Sequence, residues 1–145
     1  MKEIVVNRCY GGFGLSFNAV KRYAELKGIK AFPYIQSKHK WREGEDEYKL
    51  AHNESETENT TLQLVFWLLT DYGELLSEFP EDAEWLNERD IPRDDVCLVK
   101  VIGELGVKAN GRFSELEITT IPDNVEWEIE DYDGREWVSE RHRTW

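Results

Sequence analysis

Three glycines within four positions, Gly11, Gly12 and Gly14, separate the apolar run Ile4-Val5-Val6 from Ser16 and a helical pattern. A glycine turn that empties onto a helix start leaves several main-chain amides pointing one way at the positive end of the helix dipole, an arrangement suited to phosphate or carboxylate. Arg8 just before the loop and Ser16 at the helix cap can add donors, and Tyr10 and Phe13 can add rings. The spacing is neither GxGxxG nor GxxxxGK[ST], so the nucleotide motifs built on those spacings are absent. The plainer reading is a tight strand-to-helix turn with Tyr10 and Phe13 packed on the core.

Two basic clusters interrupt an acidic background: Lys38-His39-Lys40-Trp41-Arg42 and Arg141-His142-Arg143-Trp145. Each joins cations to an aromatic ring, which suits stacking on a base and pairing with phosphate. A solvated edge is the default for the first cluster. For the second, docking of Trp145 on the body or on a partner subunit is favoured over an exposed ring. The residues expected to bind a ligand are therefore Arg8, Tyr10, Gly11, Gly12, Phe13, Gly14, Ser16, Arg141, Arg143 and Trp145. Catalytic patterns are lacking: His39, His52 and His142 stand singly, Cys9 and Cys97 match no zinc or nucleophile signature, and Ser16 is not in a GxSxG elbow. Glu126, Glu128 and Glu130 read as a solvated strand face. No catalytic residue, metal ligand or cofactor is expected.

Thirty acidic residues against 18 basic give a formal charge of -12, which repels nucleic acid and anionic membranes at long range. Direct duplex binding is not expected. The longest apolar run, Leu64 to Leu69, is far short of a membrane span, and the start of the chain has no signal-peptide pattern. Two distant cysteines suggest no disulfide framework, so a reducing cytoplasm is the expected compartment. At 145 residues with 40% hydrophobic side chains, the chain can bury a core as one domain spanning 1–145.

The elements that must hold these residues follow from periodicity. Residues 2 to 7 read as a strand. Ser16 opens a helix in which Phe17, Val20, Tyr23 and Ala24 recur at helical spacing, and Gly28 closes it. Ala31 to Gln36 reads as a second strand, placed at an edge by Pro33, and the pair allows a parallel crossover of α/β character. Residues 37–60 read as an excursion, such as a hairpin with a mobile loop. The run "LQLVFWLL" at 62 to 69 reads as a strand buried on both faces, and residues 74 to 89 as helical fragments. Asp94 or Asp95 caps a helix with a stripe of Val96, Val99, Ile102 and Leu105. A strand centred on Leu116 to Ile121 follows. Val125, Trp127 and Ile129 then alternate with glutamates up to Asp133-Gly134, a favoured two-residue turn. The expected class is α+β: a mixed sheet, two or three helices and a C-terminal β-hairpin.

The segments "RCYGGFGLS" and "EIEDYDGREWVSERHRTW" resemble a family of small acidic proteins from bacteriophages and prophages. The similarity covers about residues 1 to 35 and 90 to 145, leaving 37 to 89 unmatched. It implies expression within an infected bacterium, in the host cytoplasm, where small phage proteins blunt host defence. Two physical routes fit, and the first is the preferred reading. One sequesters a nucleotide-type immune signal, with the glycine loop and Arg141 and Arg143 taking phosphate while Tyr10, Phe13 or Trp145 stacks on a base. The other uses the acidic surface as a decoy for the basic face of a host defence protein. A nucleotide-processing enzyme is the third reading, and a homo-oligomer is compatible with a Trp-bearing tail.

Overall fold

Ile4, Val5 and Val6 are β-branched and apolar, and they form the middle of strand β1 (Lys2–Asn7), in which Ile4 through Asn7 are fully buried. The computed structural model describes residues 1–38, 47–57 and 65–141. These form two compact units, one joining Met1–Lys27 to the segment from Glu88 onward and the other comprising Gly28–Asn87. The class is α+β.

In the first unit, helix α1 (Phe17–Lys27) follows the glycine loop. Ser16 Oγ accepts from Ala19 N–H at 3.1 Å, satisfying one of the orphan amides of the first turn. Phe17, Ala19, Val20, Tyr23 and Ala24 are buried, and Gly28 ends the helix at φ +71°.

In the second unit, β2 (Phe32–Lys38) pairs antiparallel with β3 (Glu47–Leu50) on one side and β4 (Val65–Leu68) on the other, and β3 carries β5 (Leu75–Leu76). Pro33 is therefore in an inner strand, not at an edge. It is the strand's second residue, where its missing N–H matters least, and its carbonyl accepts from Ala51 N–H at 2.8 Å. β4 and β5 are the edge strands, and in β4 Trp67 and Leu68 are buried and Val65 and Phe66 half-buried. The register places Tyr34, Tyr48 and Phe66 on one face, and Phe79 lies over them with ring centroids 6.0, 4.2 and 5.6 Å away. Residues 74–89 contain no α-helix. Leu69 N–H bonds to Glu84, Leu86 N–H bonds to Trp67, and Trp85 bridges Leu68, so irregular backbone tied to β4 is what brings Phe79 and Trp85 onto the sheet.

Back in the first unit, α2 (Val96–Leu105) is capped by Asp95, whose carboxylate accepts from Cys97 and Leu98 N–H. Leu98, Val101 and Ile102 are buried, whereas Val96 is 81% exposed. The expected stripe is thus rotated. An almost wholly apolar helix offers several stripes, and here the cap, which also bonds Tyr23 OH and Lys27 on α1, selects one. β6 (Leu116–Ile121) pairs antiparallel with β1, and β7 (Trp127–Tyr132) with β8 (Arg135–Glu140). Every pairing among the described strands is antiparallel, in three sheets rather than one mixed sheet. The parallel crossover does not form, because β1 and β2 belong to different sheets.

Burial of Asp95 opposes its ionisation, but hydrogen bonds from Lys27, Cys97 N–H, Tyr23 and Leu98 N–H outweigh burial and hold its carboxyl below the ordinary value. Burial, then the bond to Asp95, pushes the Tyr23 hydroxyl up to about 12. A depressed carboxyl stabilises the fold above its unfolded value and loses that contribution as pH falls through the folded one. Asp95→Ala is expected to cost about 1–2 kcal/mol in urea unfolding at neutral pH, a difference that should shrink below about pH 4. A pH-independent difference would count against the ionised cap.

Candidate functional site

The glycine loop is built around Asn7, the last residue of β1, which is fully buried. A buried amide must spend its donors and its acceptor. Asn7 Nδ2 donates to the carbonyls of Cys9 and Gly134, each at 2.7 Å, and Oδ1 accepts from Glu115 N–H at 2.8 Å. One side chain thereby gathers the glycine loop, the β7–β8 turn and the approach to β6. Asn7 N–H donates to Glu136 Oε1 at 2.8 Å, and Glu136 receives both arms of Arg93 at 2.6 and 2.9 Å. The Arg93 guanidinium lies 3.6 Å from the centroid of the buried Phe13 ring.

The glycines answer to this convergence. A Cβ on Gly11 would stand 1.8 Å from the Phe113 carbonyl oxygen, and one on Gly134 would stand 2.6 Å from both Gly12 N and the Tyr10 carbonyl. Gly111 N–H and Ser114 Oγ both donate to the Gly14 carbonyl. Backbone meets backbone here, so the loop is a junction. Gly12 and Gly134 also take φ of +89° and +92°.

The two amides between the glycine loop and the helix are engaged. Leu15 N–H donates to Glu88 Oε2 at 2.8 Å, Ser16 N–H donates to the Ala109 carbonyl, and Ser16 Oγ donates to the Lys108 carbonyl at 2.7 Å. Glu88, on a short 3₁₀ turn (Glu88–Asp90), supplies the carboxylate that the Leu15 amide meets. Burial raises its pKa, against the opposing bond from Leu15 N–H. Arg8 is turned to its own chain as well, donating to Glu117 at 2.8 Å, Thr119 at 3.1 Å and the Glu136 carbonyl at 3.4 Å.

Arg141 does not reach the loop. Gly134 packs against Gly12, and Arg141 lies seven residues farther along β8, roughly 23 Å away in extended chain. Its N–H donates to the Glu126 carbonyl, and its guanidinium is 3.8 Å from Glu128. Arg143 and Trp145 lie outside the described residues, as does most of the 38–42 cluster. The structure thus brings Arg8, Tyr10, Gly11, Gly12, Phe13, Gly14 and Ser16 together and leaves Arg141 apart.

Exposed rings mark this end of the unit, with Arg112 next to Phe113 and Arg135 opposite Tyr132. Tyr10, Phe113 and Tyr132 are each more than half exposed on segments that meet at the junction. Phe113, Tyr132, Asn7, Arg93 and Glu136 are absent from the sequence-based set. Among the described residues no group of His, Cys, Asp and Glu is arranged to hold a metal, and no helix is long and apolar enough to cross a membrane. No family model, no curated protein and no solved structure matches the chain.

Glu88→Gln keeps an acceptor for Leu15 N–H while removing a buried charge, and should leave stability unchanged or raised at neutral pH. Glu88→Ala orphans that amide and should cost about 1–3 kcal/mol. Equal losses in both variants, read by chemical denaturation, would refute the acceptor role. Glu136→Ala strands the largely covered Arg93 and should cost about 3–5 kcal/mol. The Glu136→Ala/Arg93→Ala double variant should cost less than the two singles combined, whereas additive losses would show the pair to be uncoupled.

Proposed function

We propose that this protein is a non-catalytic acidic binder that covers the basic, nucleic-acid-binding face of a partner protein. The observation that carries the reading is the disposition of charge. Arg8, Arg22, Lys27 and Arg93 each pair with a carboxylate of their own chain, so the excess of 30 acidic over 18 basic residues is left to act on the surroundings. A surface of that sign steers cationic partners and repels nucleic acid. The resemblance of the two terminal segments to small acidic phage proteins gives the reading its setting: a host defence protein that binds DNA or RNA, approached as a decoy would approach it.

Sequestration of a nucleotide draws less support. It called for main-chain amides of the glycine loop to converge with Arg141 and Arg143, and Arg141 sits at the far end of the hairpin, while the amides of Leu15 and Ser16 at the loop's exit are held by Glu88 and the Ala109 carbonyl.

Immobilised protein should retain a nucleic-acid-binding protein from bacterial lysate at low salt and release it both at high salt and on addition of duplex DNA. Release by salt but not by DNA would count against decoy action. A melting shift with cyclic nucleotides or ADP-ribose, with no protein captured, would favour sequestration in its place.

A further inference from the structure

The β1–β6 ladder leaves each of its strands one outer edge. Its register and the bond from Arg8 N–H to the Glu115 carbonyl turn the main-chain groups of Glu117, Thr119 and Ile121 toward β1, so those of Leu116, Ile118 and Thr120 point away from it. The outer edge of β1 is closed over Val5 and Asn7: Val5 N–H donates to the Arg93 carbonyl, Arg93 Nη1 donates to the Val5 carbonyl, and Asn7 N–H donates to Glu136. On the outer edge of β6, Asn110 Oδ1 accepts from Leu116 N–H at 2.8 Å and closes one end. Among the described residues, no group bonds the outward amides and carbonyls of Ile118 and Thr120. Ile118 is half-buried and Thr120 exposed, so water reaches this edge.

We infer that the open stretch of β6 is the seam of a symmetric dimer, in which the β6 strands of two copies of this chain pair antiparallel about a two-fold axis at Thr119. A row of unpaired N–H and C=O groups on a strand edge is a template for another strand. The other outer edges of the described strands suit a second copy less. The segment 84–86 runs along β4, β5 is two residues long, and on β8 the Glu136 carbonyl accepts from Arg8. Pairing through β7 would set Glu128, Glu130 and Asp131 of one copy among the same residues of the other. β6 carries one charged side chain, Glu117, and Arg8 neutralises it at 2.8 Å.

Asn110 selects the register. With Leu116 N–H taken, the pairing that satisfies every open group sets Ile118 opposite Thr120 of the second copy, so that each pair exchanges both bonds and Thr119 faces its own copy across the axis. Thr facing Thr is a favourable cross-strand pair, and Glu117 then meets Ile121 of the second copy rather than another glutamate. The run Ile118-Thr119-Thr120-Ile121 is β-branched throughout, which suits an extended ladder. The formal charge of -12 on each copy opposes their approach at long range, and salt screens that repulsion. Dimerisation therefore strengthens with salt, whereas capture of a basic partner weakens with it. The seam is independent of the reading of the protein as an acidic binder.

Sedimentation velocity of the full chain, over a range of concentrations and at low and high salt, tests the seam. Wild type is expected to pass from monomer to dimer as concentration rises, and to do so at lower concentration in high salt. Thr120→Pro removes an outward N–H and no bond to β1, so it should weaken dimerisation about tenfold while cooperative melting is kept. Cross-linking gives a second reading. The axis holds the two Thr119 Cα atoms about 4.5 Å apart, within the span of a disulfide. Under mild oxidation Thr119→Cys should therefore form a covalent dimer above the background from Cys9 and Cys97, and Glu117→Cys should form far less. If Thr120→Pro loses cooperative melting, the two cysteine variants carry the comparison. Wild type that stays monomeric at every concentration and salt would overturn the seam. So would a dimer undiminished in Thr120→Pro, or one that cross-links equally through both cysteines.

Discussion

A carboxylate taken out of water needs partners for its lone pairs, and in this protein that need organises the first unit. Glu136 finds three donors, two from Arg93 and one from the main chain of Asn7. A buried ion pair adds little net stability over apolar packing of the same volume, yet losing one partner is expensive. Its consequence here is positional. With Glu136 fixed against β1, the hairpin turn falls where Asn7 can bond the Gly134 carbonyl, and Gly134 comes within contact of Tyr10 and Gly12. The glycine loop, the turn and the approach to β6 then share one small volume that only bare backbone can fill.

That crowding explains why the glycine signature read ambiguously. A run of glycines before a helix serves equally to wrap an anion or to let another chain segment pass close, and the local sequence is the same in both cases. What decides is the identity of the neighbour. Here the neighbours are Phe113, roughly a hundred residues away in sequence, and Gly134, farther still. The carboxylate at the loop's exit is likewise remote: Glu88 stands 73 positions from the Leu15 amide it accepts from. Neither relation leaves a mark within the loop itself.

Elements whose determinants are local were legible in the sequence. β1, α1 with its Ser16 cap and Gly28 stop, β6, and the hairpin with Asp133 and Gly134 both at positive φ follow from β-branching, 3.6-residue periodicity and turn chemistry. Elements decided by tertiary partners were not. The stretch 74–89 has helix-forming residues, but main-chain bonds to Trp67 and Leu69 and the seat of Phe79 among Tyr34, Tyr48 and Phe66 hold it out of an α-helix. α2 is apolar on so much of its circumference that its buried face was set by Asp95 meeting Tyr23 and Lys27 rather than by any stripe. Of the candidate site, the loop residues were found together, while the buried Asn7 and Glu136 and the largely covered Arg93 were passed over because polar residues in a strand-and-loop region read as surface.

One signal for Glu136 was present. A two-residue Asp-Gly turn pairs Tyr132 with Arg135, so an inward Ile129 brings Val138 inward and, two positions back along the strand, Glu136 with it. Polarity alone would place Trp137 inside and Glu136 outside; the register requires the reverse. The inward glutamate is then compensated by Arg93, and the outward tryptophan is left with a carboxylate at its indole nitrogen and no cation over its ring. A polar side chain at 137 would satisfy the same register and the same turn. The exposed ring is therefore no requirement of the register or of the turn.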